Sequence, residues 1–275
     1  MYSEFTHTKQ DQDVIDRAHK YLLQLYPQAP FVLSHGKGLW VWDTAGRKYL
    51  DFGAGIAVNA LGHADEGVLK VCIQTANLSC AGLTRSQVLQ DQAGKLLHAS
   101  NLYKNESAGK LAELLVELTK SHDGPSFDGA KVFFANSGAE ANEGALKIAR
   151  KVGKDRWAKA TGKPSDDPSC DKHEIVCFED GFHGRTMGAV SVTSNPKYQN
   201  PFMPLIPGIR VGKLNAQESI DDLISEKTCA VIVEPIQGEG GIKLARVDWL
   251  KALRKKCDEV GAVLIFDEIQ VRSGL

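Results

Sequence analysis

Asp267 and Glu268 follow directly on the apolar run Ala262–Phe266, so two carboxylates stand at the end of what reads as a buried strand. An ionised aspartate in that place can fix a proton on a ligand or hold a cation. Glu234, Gln237 and Glu239 lie on the Pro/Gly-shaped loop EPIQGEGG, which follows the apolar run CAVIV. Phe182, His183 and Arg185 stand on a glycine-flanked turn after EIVCF. An aromatic beside a cation suits a flat ring and a carboxylate, and arginine offers a two-pronged fork that lysine lacks. A packed phenylalanine and a surface arginine account for the same residues. In NSGAEANEGALKIARK, after KVFFA, Asn136 or Ser137 can cap a helix, and Glu140 has capping-box spacing from Ser137. Gly138 permits close approach, and the exposed N–H groups and dipole of a first helical turn favour an anion. A well-capped helix with no ligand explains that spacing equally well.

The chemistry narrows by exclusion. A D-E pair after an apolar strand also resembles the magnesium-holding strand end of a P-loop ATPase, but the sequence has no G-x-x-x-x-G-K-[ST]. No G-x-G-x-x-G opens a helix after a strand, and H-E-x-x-H and G-x-S-x-G are absent. What remains is an anion seat, a ring-stacking aromatic, a carboxylate-binding arginine and a buried aspartate. Pyridoxal phosphate asks for that set: N–H donors for its phosphate, an apolar face for its ring, and a carboxylate for its pyridine nitrogen.

The elements that must position these groups follow from periodicity. Residues 11–25 have helical spacing at Val14, Ile15, Ala18, Leu22 and Leu25. LWVWDTAGRKYLDF reads as a hairpin about the turn 43–46, and DFGAGIAVNALGHA as a glycine-rich loop. Further on, helices are expected at 111–120, 138–152 and 248–260. Strands are expected at 131–135, 174–178, 190–193, 229–233 and 262–266. The stretch 159–172 is polar and proline-rich, hence a surface loop. Strands alternating with helices predict an α/β fold with a mostly parallel sheet covered on both faces, where ligands bind beyond the carboxyl ends of the strands.

The totals agree with an ordinary globular protein. The chain has 275 residues, 43% of them hydrophobic and 24% charged, with a formal net charge of −1. No global field favours nucleic acid or an anionic membrane, and no apolar stretch approaches membrane-spanning length. The six cysteines form no C-x-x-C pair and have no zinc spacing, so free thiols in a reducing compartment are expected and no metal. The N-terminus carries Glu4, Asp11, Asp13 and Asp16, unlike an arginine-rich transit peptide.

At these motifs the sequence resembles the class III aminotransferases of pyridoxal phosphate fold type I, and within them the acetylornithine branch. The likeness runs through LWVWDTAGRKYLDFGAGIAVNALGHA, NSGAEANEGALKIAR, FHGRTMGAVSVT, PKYQNPF, VEPIQGEGGI and LIFDEIQ, in that order. It implies a three-layer α/β/α large domain over 66–275, preceded by an N-terminal segment, 1–65, of helix, hairpin and loop. It also implies roles. Ser137, Gly138 and Ala139 meet the cofactor phosphate, Phe182 stacks on its ring, Asp267 pairs with the ring nitrogen and Gln270 reaches the ring hydroxyl. Arg185 binds the substrate α-carboxylate, and Glu239 belongs to a gate at the substrate's distal end. His183, in place of a bulkier aromatic, favours an acetylated donor. The implied substrates are N-acetylornithine and 2-oxoglutarate, with ornithine and 4-aminobutyrate as alternative donors. The implied assembly is a homodimer, and the implied compartment of eukaryotic relatives is the mitochondrion, against the cytoplasm that the acidic N-terminus suggests.

The sequence departs from the family pattern in two places. By the resemblance, the lysine that forms the Schiff base with the cofactor is expected well downstream of Asp267, with further strands and a C-terminal small domain, and the 275 residues do not include them; VRSGL stands where a Gly/Arg-rich turn is expected. Residues 71–87 are interposed in a stretch where the family runs on directly. Both departures begin at valine, whose codons start GT, and the expectation is that both are translated intron sequence; the alternative is a genuine lineage-specific loop at 71–87 together with a truncated sequence. A genomic GT…AG interval at codons 71–87 is the expected finding; uninterrupted coding sequence there contradicts it. On this view the polypeptide is inactive and poorly soluble, or a non-catalytic fragment that pairs with an intact subunit.

Overall fold

The structure, a computed structural model, describes residues 8–23, 29–65, 92, 94–98, 102, 103, 105–120 and 129–270. The interposed segment 71–87 and residues 271–275 lie outside the described residues. The chain forms two compact units, Met1–Asn105 and Glu106–Leu275.

The first unit holds helix α1 (Lys9–Tyr21), strands β1 (Leu33–Lys37), β2 (Trp40–Asp43) and β3 (Lys48–Leu50), and a short helical turn, α2 (Ala54–Ala57). Thr8 caps α1 in a reciprocal box with Asp11, which fixes the start of the helix ahead of its apolar stripe. The anticipated hairpin is β2–β3, and β1 adds a third antiparallel strand on the other side of β2. Buried Asp43 organises the turn. Its carboxylate accepts from the Arg47 N–H at 2.9 Å, the Arg47 Nε at 2.7 Å and the Tyr49 hydroxyl at 2.7 Å.

The second unit is a three-layer α/β/α sandwich. Helices α3 (Glu106–Lys120) and α4 (Gly138–Thr161) come first, then β4 (Glu174–Phe178), α5 (Met187–Val192), α6 (Pro196–Gln199), β5 (Ile209–Gly212) and α7 (Gln217–Asp221). They are followed by β6 (Thr228–Val233), the small hairpin β7 (Ile236–Gln237) and β8 (Lys243–Leu244), α8 (Val247–Val260) and β9 (Val263–Phe266). The main sheet has the order β5–β4–β6–β9 and is parallel throughout. Strand residues alternate between two cores. Val176, Phe178, Val231 and Val233 meet α7 and α8 through Ile220, Trp249, Leu253 and Cys257. Ile175, Cys177, Ala230 and Ile232 meet Leu146 and Ala149 of α4 and Val192 of α5. With both faces buried, β4 and β6 read as continuous apolar runs, as central parallel strands do, while β5 and β9 at the two edges are half-buried.

Two expected strands are not formed. Residues 131–135 form no regular element and join no ladder, and Phe133 and Phe134 are exposed, so this is not the buried strand foreseen. An apolar run specifies a strand where a neighbour completes the ladder, and none lies beside it among the described residues. Residues 190–193, rich in valine and threonine, fall in α5 and its C-cap. Burial of α5 against α4 and the sheet overrides their β propensity. Helix α4 runs to Thr161, into the stretch foreseen as loop, and ends on Gly162 in the left-handed conformation.

Candidate functional site

Strand order creates the site. The chain passes from β4 to β5 on one side, then to β6 on the other, so the connections after β4 and β6 diverge and leave a crevice between them. The N-terminus of α4 and the loops after β4, β6 and β9 close around it through side-chain bonds.

Asp267, the residue after β9, is the centre. Its side chain is 4% exposed. Its Oδ2 accepts from His183 Nδ1 at 2.8 Å and from Asn142 Nδ2 at 2.9 Å, and its Oδ1 from the Ile269 N–H at 3.1 Å. Burial alone would raise this carboxyl. The His183 hydrogen bond and charge, with the Asn142 and Ile269 donors, outweigh it and hold Asp267 below the ordinary carboxylate range. Asn142 also donates to the His183 carbonyl at 2.8 Å, tying α4 to the loop after β4. The His183 N–H donates to Thr193 Oγ1 at 2.9 Å.

Glu234, after β6, plays the converse part. Its Oε2 accepts from the Phe182 N–H at 2.8 Å and its Oε1 from the Gly238 N–H at 3.3 Å. Burial raises its carboxyl despite those two donors and the neighbouring His183. The crevice therefore has one carboxylate held ionised and another eased toward the neutral form. Phe182 is thus fixed by its own backbone to the β6 loop.

The start of α4 has a cap and two open donors. Ser137 Oγ accepts from the Glu140 N–H at 3.3 Å, as its spacing predicted. The reciprocal half of the capping box is displaced: Glu140 accepts from the Asn136 N–H at 2.8 Å instead of from that of Ser137. Among the described residues, the N–H groups of Gly138 and Ala139 meet no acceptor. Ile269 occupies the space above Gly138, where an added Cβ would fall 2.7 Å from Ile269 Cδ1. Gly184 lies against Ala139, bringing the β4 loop onto the same turn. Asn142 is one turn further in, about 6 Å along the helix axis from Gly138. An anion seat and an anionic aspartate thus stand one helical turn apart.

Toward the opening, the Arg185 guanidinium carbon lies 3.9 Å from the Tyr198 ring centroid and 5.7 Å from that of Phe182. The Tyr198 hydroxyl donates to Glu239 Oε1 at 2.6 Å. Gln270 lies beside Gly238, 3.5 Å from where a Cβ there would sit. The structure therefore brings together Ser137, Gly138, Ala139, Asp267, Phe182, Arg185, Glu239 and Gln270. Three further residues were not foreseen in these roles: Asn142, Tyr198 and His183. His183 is a correction, because a side chain 1% exposed and bound to Asp267 does not wall a substrate pocket. No cluster of metal-ligating side chains occurs among the described residues, and no helix there is long and apolar enough to cross a membrane.

Comparison with known proteins gives a consistent match. Residues 24–274 match the sequence profile of the class III aminotransferases. The mitochondrial acetylornithine aminotransferase of Neurospora crassa is 48% identical over 273 residues, covering 98% of this chain and 53% of that protein. The enzyme of the same name from Yarrowia lipolytica is also 48% identical, covering 99% and 59%. The chain thus spans between half and two thirds of the length of the curated relatives it matches. Among solved structures, the ornithine aminotransferase of Toxoplasma gondii superposes with a TM-score of 0.73 at 29% identity, covering 94% of this chain and 53% of that one. That crystal structure has partial occupancy of pyridoxal phosphate at its active site.

Proposed function

Because the chain belongs to the class III aminotransferase family, we propose that its protein transfers the amino group of N-acetylornithine to 2-oxoglutarate, giving N-acetylglutamate semialdehyde and glutamate, in arginine synthesis. The observation that carries this reading is Asp267, a buried carboxylate kept ionised one helical turn inside a donor-rich helix start. The family works with pyridoxal 5′-phosphate. The donor set suits that cofactor, since two unmet N–H groups and a shielded anion match its phosphate and its protonated ring nitrogen.

When bound, the cofactor supplies an electron sink for the substrate carbon that loses a proton. Ser137, Gly138 and Ala139 would take its phosphate, with the dipole of α4 favouring the negative charge. Asp267 would hold the proton on the ring nitrogen, and His183 and Asn142 would keep Asp267 ionised and aimed. Phe182 would cover one ring face, and Gln270 would meet the ring hydroxyl. Arg185 would grip the α-carboxylate through paired N–H groups. Glu239 would face the distal end of the substrate. Ornithine is the second reading of the donor, supported by the fold likeness to the Toxoplasma enzyme. A mitochondrial setting is supported by the names of the Neurospora and Yarrowia relatives, and a homodimer by the family resemblance alone.

The test is spectroscopic. The complete protein with pyridoxal phosphate is expected to show a visible absorbance band that bleaches with N-acetylornithine and returns with 2-oxoglutarate. A band indifferent to amines contradicts the cofactor reading. A polypeptide of these 275 residues alone is expected to give no turnover. Both half-reactions need a lysine to hold the cofactor and move the α-proton. Lys147 and Lys151 on α4 do not meet that need: both are exposed, and Lys151 is bound to Asp155 at 2.6 Å. Measured turnover by the purified polypeptide would overturn that inference.

A further inference from the structure

Tyr198 touches three of the groups placed at the mouth of the crevice. It stands half-buried on α6, a short helix whose first turn is set by Asn195, which accepts from the Lys197 N–H at 3.0 Å. Gln199 pins the same helix to α5, donating to the carbonyls of Val190 and Ser191, both at 3.2 Å. On that fixed platform one face of the Tyr198 ring carries the Arg185 guanidinium, and Phe182 meets it edge-on, at 5.7 Å and 81°. The phenol hydroxyl binds Glu239. A cation over a ring face is held by the ring quadrupole, which keeps the guanidinium against the Tyr198 ring. One side chain therefore sets the pose of both the arginine and the acid.

We propose that Tyr198 is a specificity-determining positioning residue: its ring orients Arg185 for a substrate carboxylate while its hydroxyl retains Glu239, so that the protein's own carboxylate does not compete for the arginine. The inference deepens the function proposed above and rests on Arg185 being the carboxylate site. Both partners sit on one phenol ring, so a released Glu239 and Arg185 are neighbours of opposite charge. The Glu239 hydrogen bond also raises the phenol above its ordinary range, with burial and the glutamate charge adding to it and the Arg185 cation opposing it. Tyr198 thus stays protonated as a donor across neutral pH. Substrates that bring two carboxylates depend most on this arrangement, since any acid freed near Arg185 repels the second one.

The test is calorimetric titration of the intact protein with glutarate, a dicarboxylate probe, alongside the Tyr198→Phe, Arg185→Gln and Tyr198→Phe/Glu239→Gln variants. Tyr198→Phe keeps the ring and is expected to weaken glutarate binding about fivefold, the scale of one exposed ion pair. Adding Glu239→Gln removes the competing charge and is expected to restore the affinity, which a merely structural loss would not allow. Wild-type affinity in Tyr198→Phe, or no rescue in the double variant, overturns the role of Tyr198 while leaving the Arg185 assignment intact. Unchanged binding in Arg185→Gln overturns the carboxylate site itself, and the inference with it.

Discussion

Replacing Asp267 by alanine is expected to cost about 1–3 kcal/mol of stability at neutral pH, the cost of removing a buried carboxylate and leaving a buried hydrogen-bond donor unsatisfied. The loss arises because two donors, His183 Nδ1 and Asn142 Nδ2, converge on one carboxylate oxygen; the substitution leaves His183 Nδ1 buried without that acceptor, while Asn142 keeps its bond to the His183 carbonyl. The pH dependence has a definite sign. The folded-state value of Asp267 lies below the ordinary aspartate value of 3.8, so its contribution is fully present above that pH and is lost as pH falls through the lower, folded value. The deficit of Asp267→Ala relative to wild type is therefore flat through neutrality and shrinks in strong acid. Urea unfolding midpoints at neutral pH and below pH 3.8 measure both statements. Equal midpoints for the two proteins at neutral pH would contradict the assignment. The same variant is expected to lose any hold on the protonated form of pyridoxal phosphate, which absorbance titration reads separately.

The second large effect is expected at Gly184, which joins Phe182 and His183 to Arg185. Its φ is +124°, a conformation that side chains with a Cβ rarely adopt. An added Cβ would stand 2.7 Å from the Ala139 Cβ, 3.0 Å from the Ala139 Cα and 3.0 Å from the Ala189 Cβ. Two of these atoms are methyl groups on helices and the third is backbone, so none is the far end of a flexible side chain. Gly184→Ala therefore combines backbone strain of about 1–3 kcal/mol with overpacking of about 1–3 kcal/mol. It also pushes the β4 loop off the first turn of α4, so cofactor affinity falls together with stability. Gly241→Ala is the matched comparison, because Gly241 has φ +100° but open space around it. Thermal unfolding of the two variants separates strain from collision, and an equal shift in both would show that the contact with Ala139 is immaterial.

Much of the second unit was legible because its strands are apolar runs, buried on both faces in β4 and β6 and half-buried in β9. EIVCF, CAVIV and AVLIF each read as a strand without any long-range information, and each did form one. KVFFA has the same local character and formed none, since a ladder is a property of two segments and sequence reports one at a time. The run at 190–193 failed for a different reason: its β-branched residues serve a helix whose first N–H groups are met by Glu143, at 2.6 Å to Gly188, from another element. The charged and aromatic site residues were visible because each follows a strand end. Asn142 left a fainter trace. It shares the buried face of α4 with Leu146, Ala149 and Gly153, and a polar side chain on an apolar stripe signals a partner that the sequence does not name. Tyr198 left none, because its partners come from two other loops.

The sheet and its covering helix enclose three thiols. Cys177, Cys229 and Cys257 have no exposed surface, and burial pushes Cys177 up to about 12 and Cys257 to about 11. A thiol is reactive as the thiolate, so these three stay silent toward alkylating reagents while the sandwich is closed. They act as built-in clocks: the pace at which iodoacetamide reaches them in native buffer reports how often the layers part, and a ligand that seals the crevice slows that pace without touching any of them.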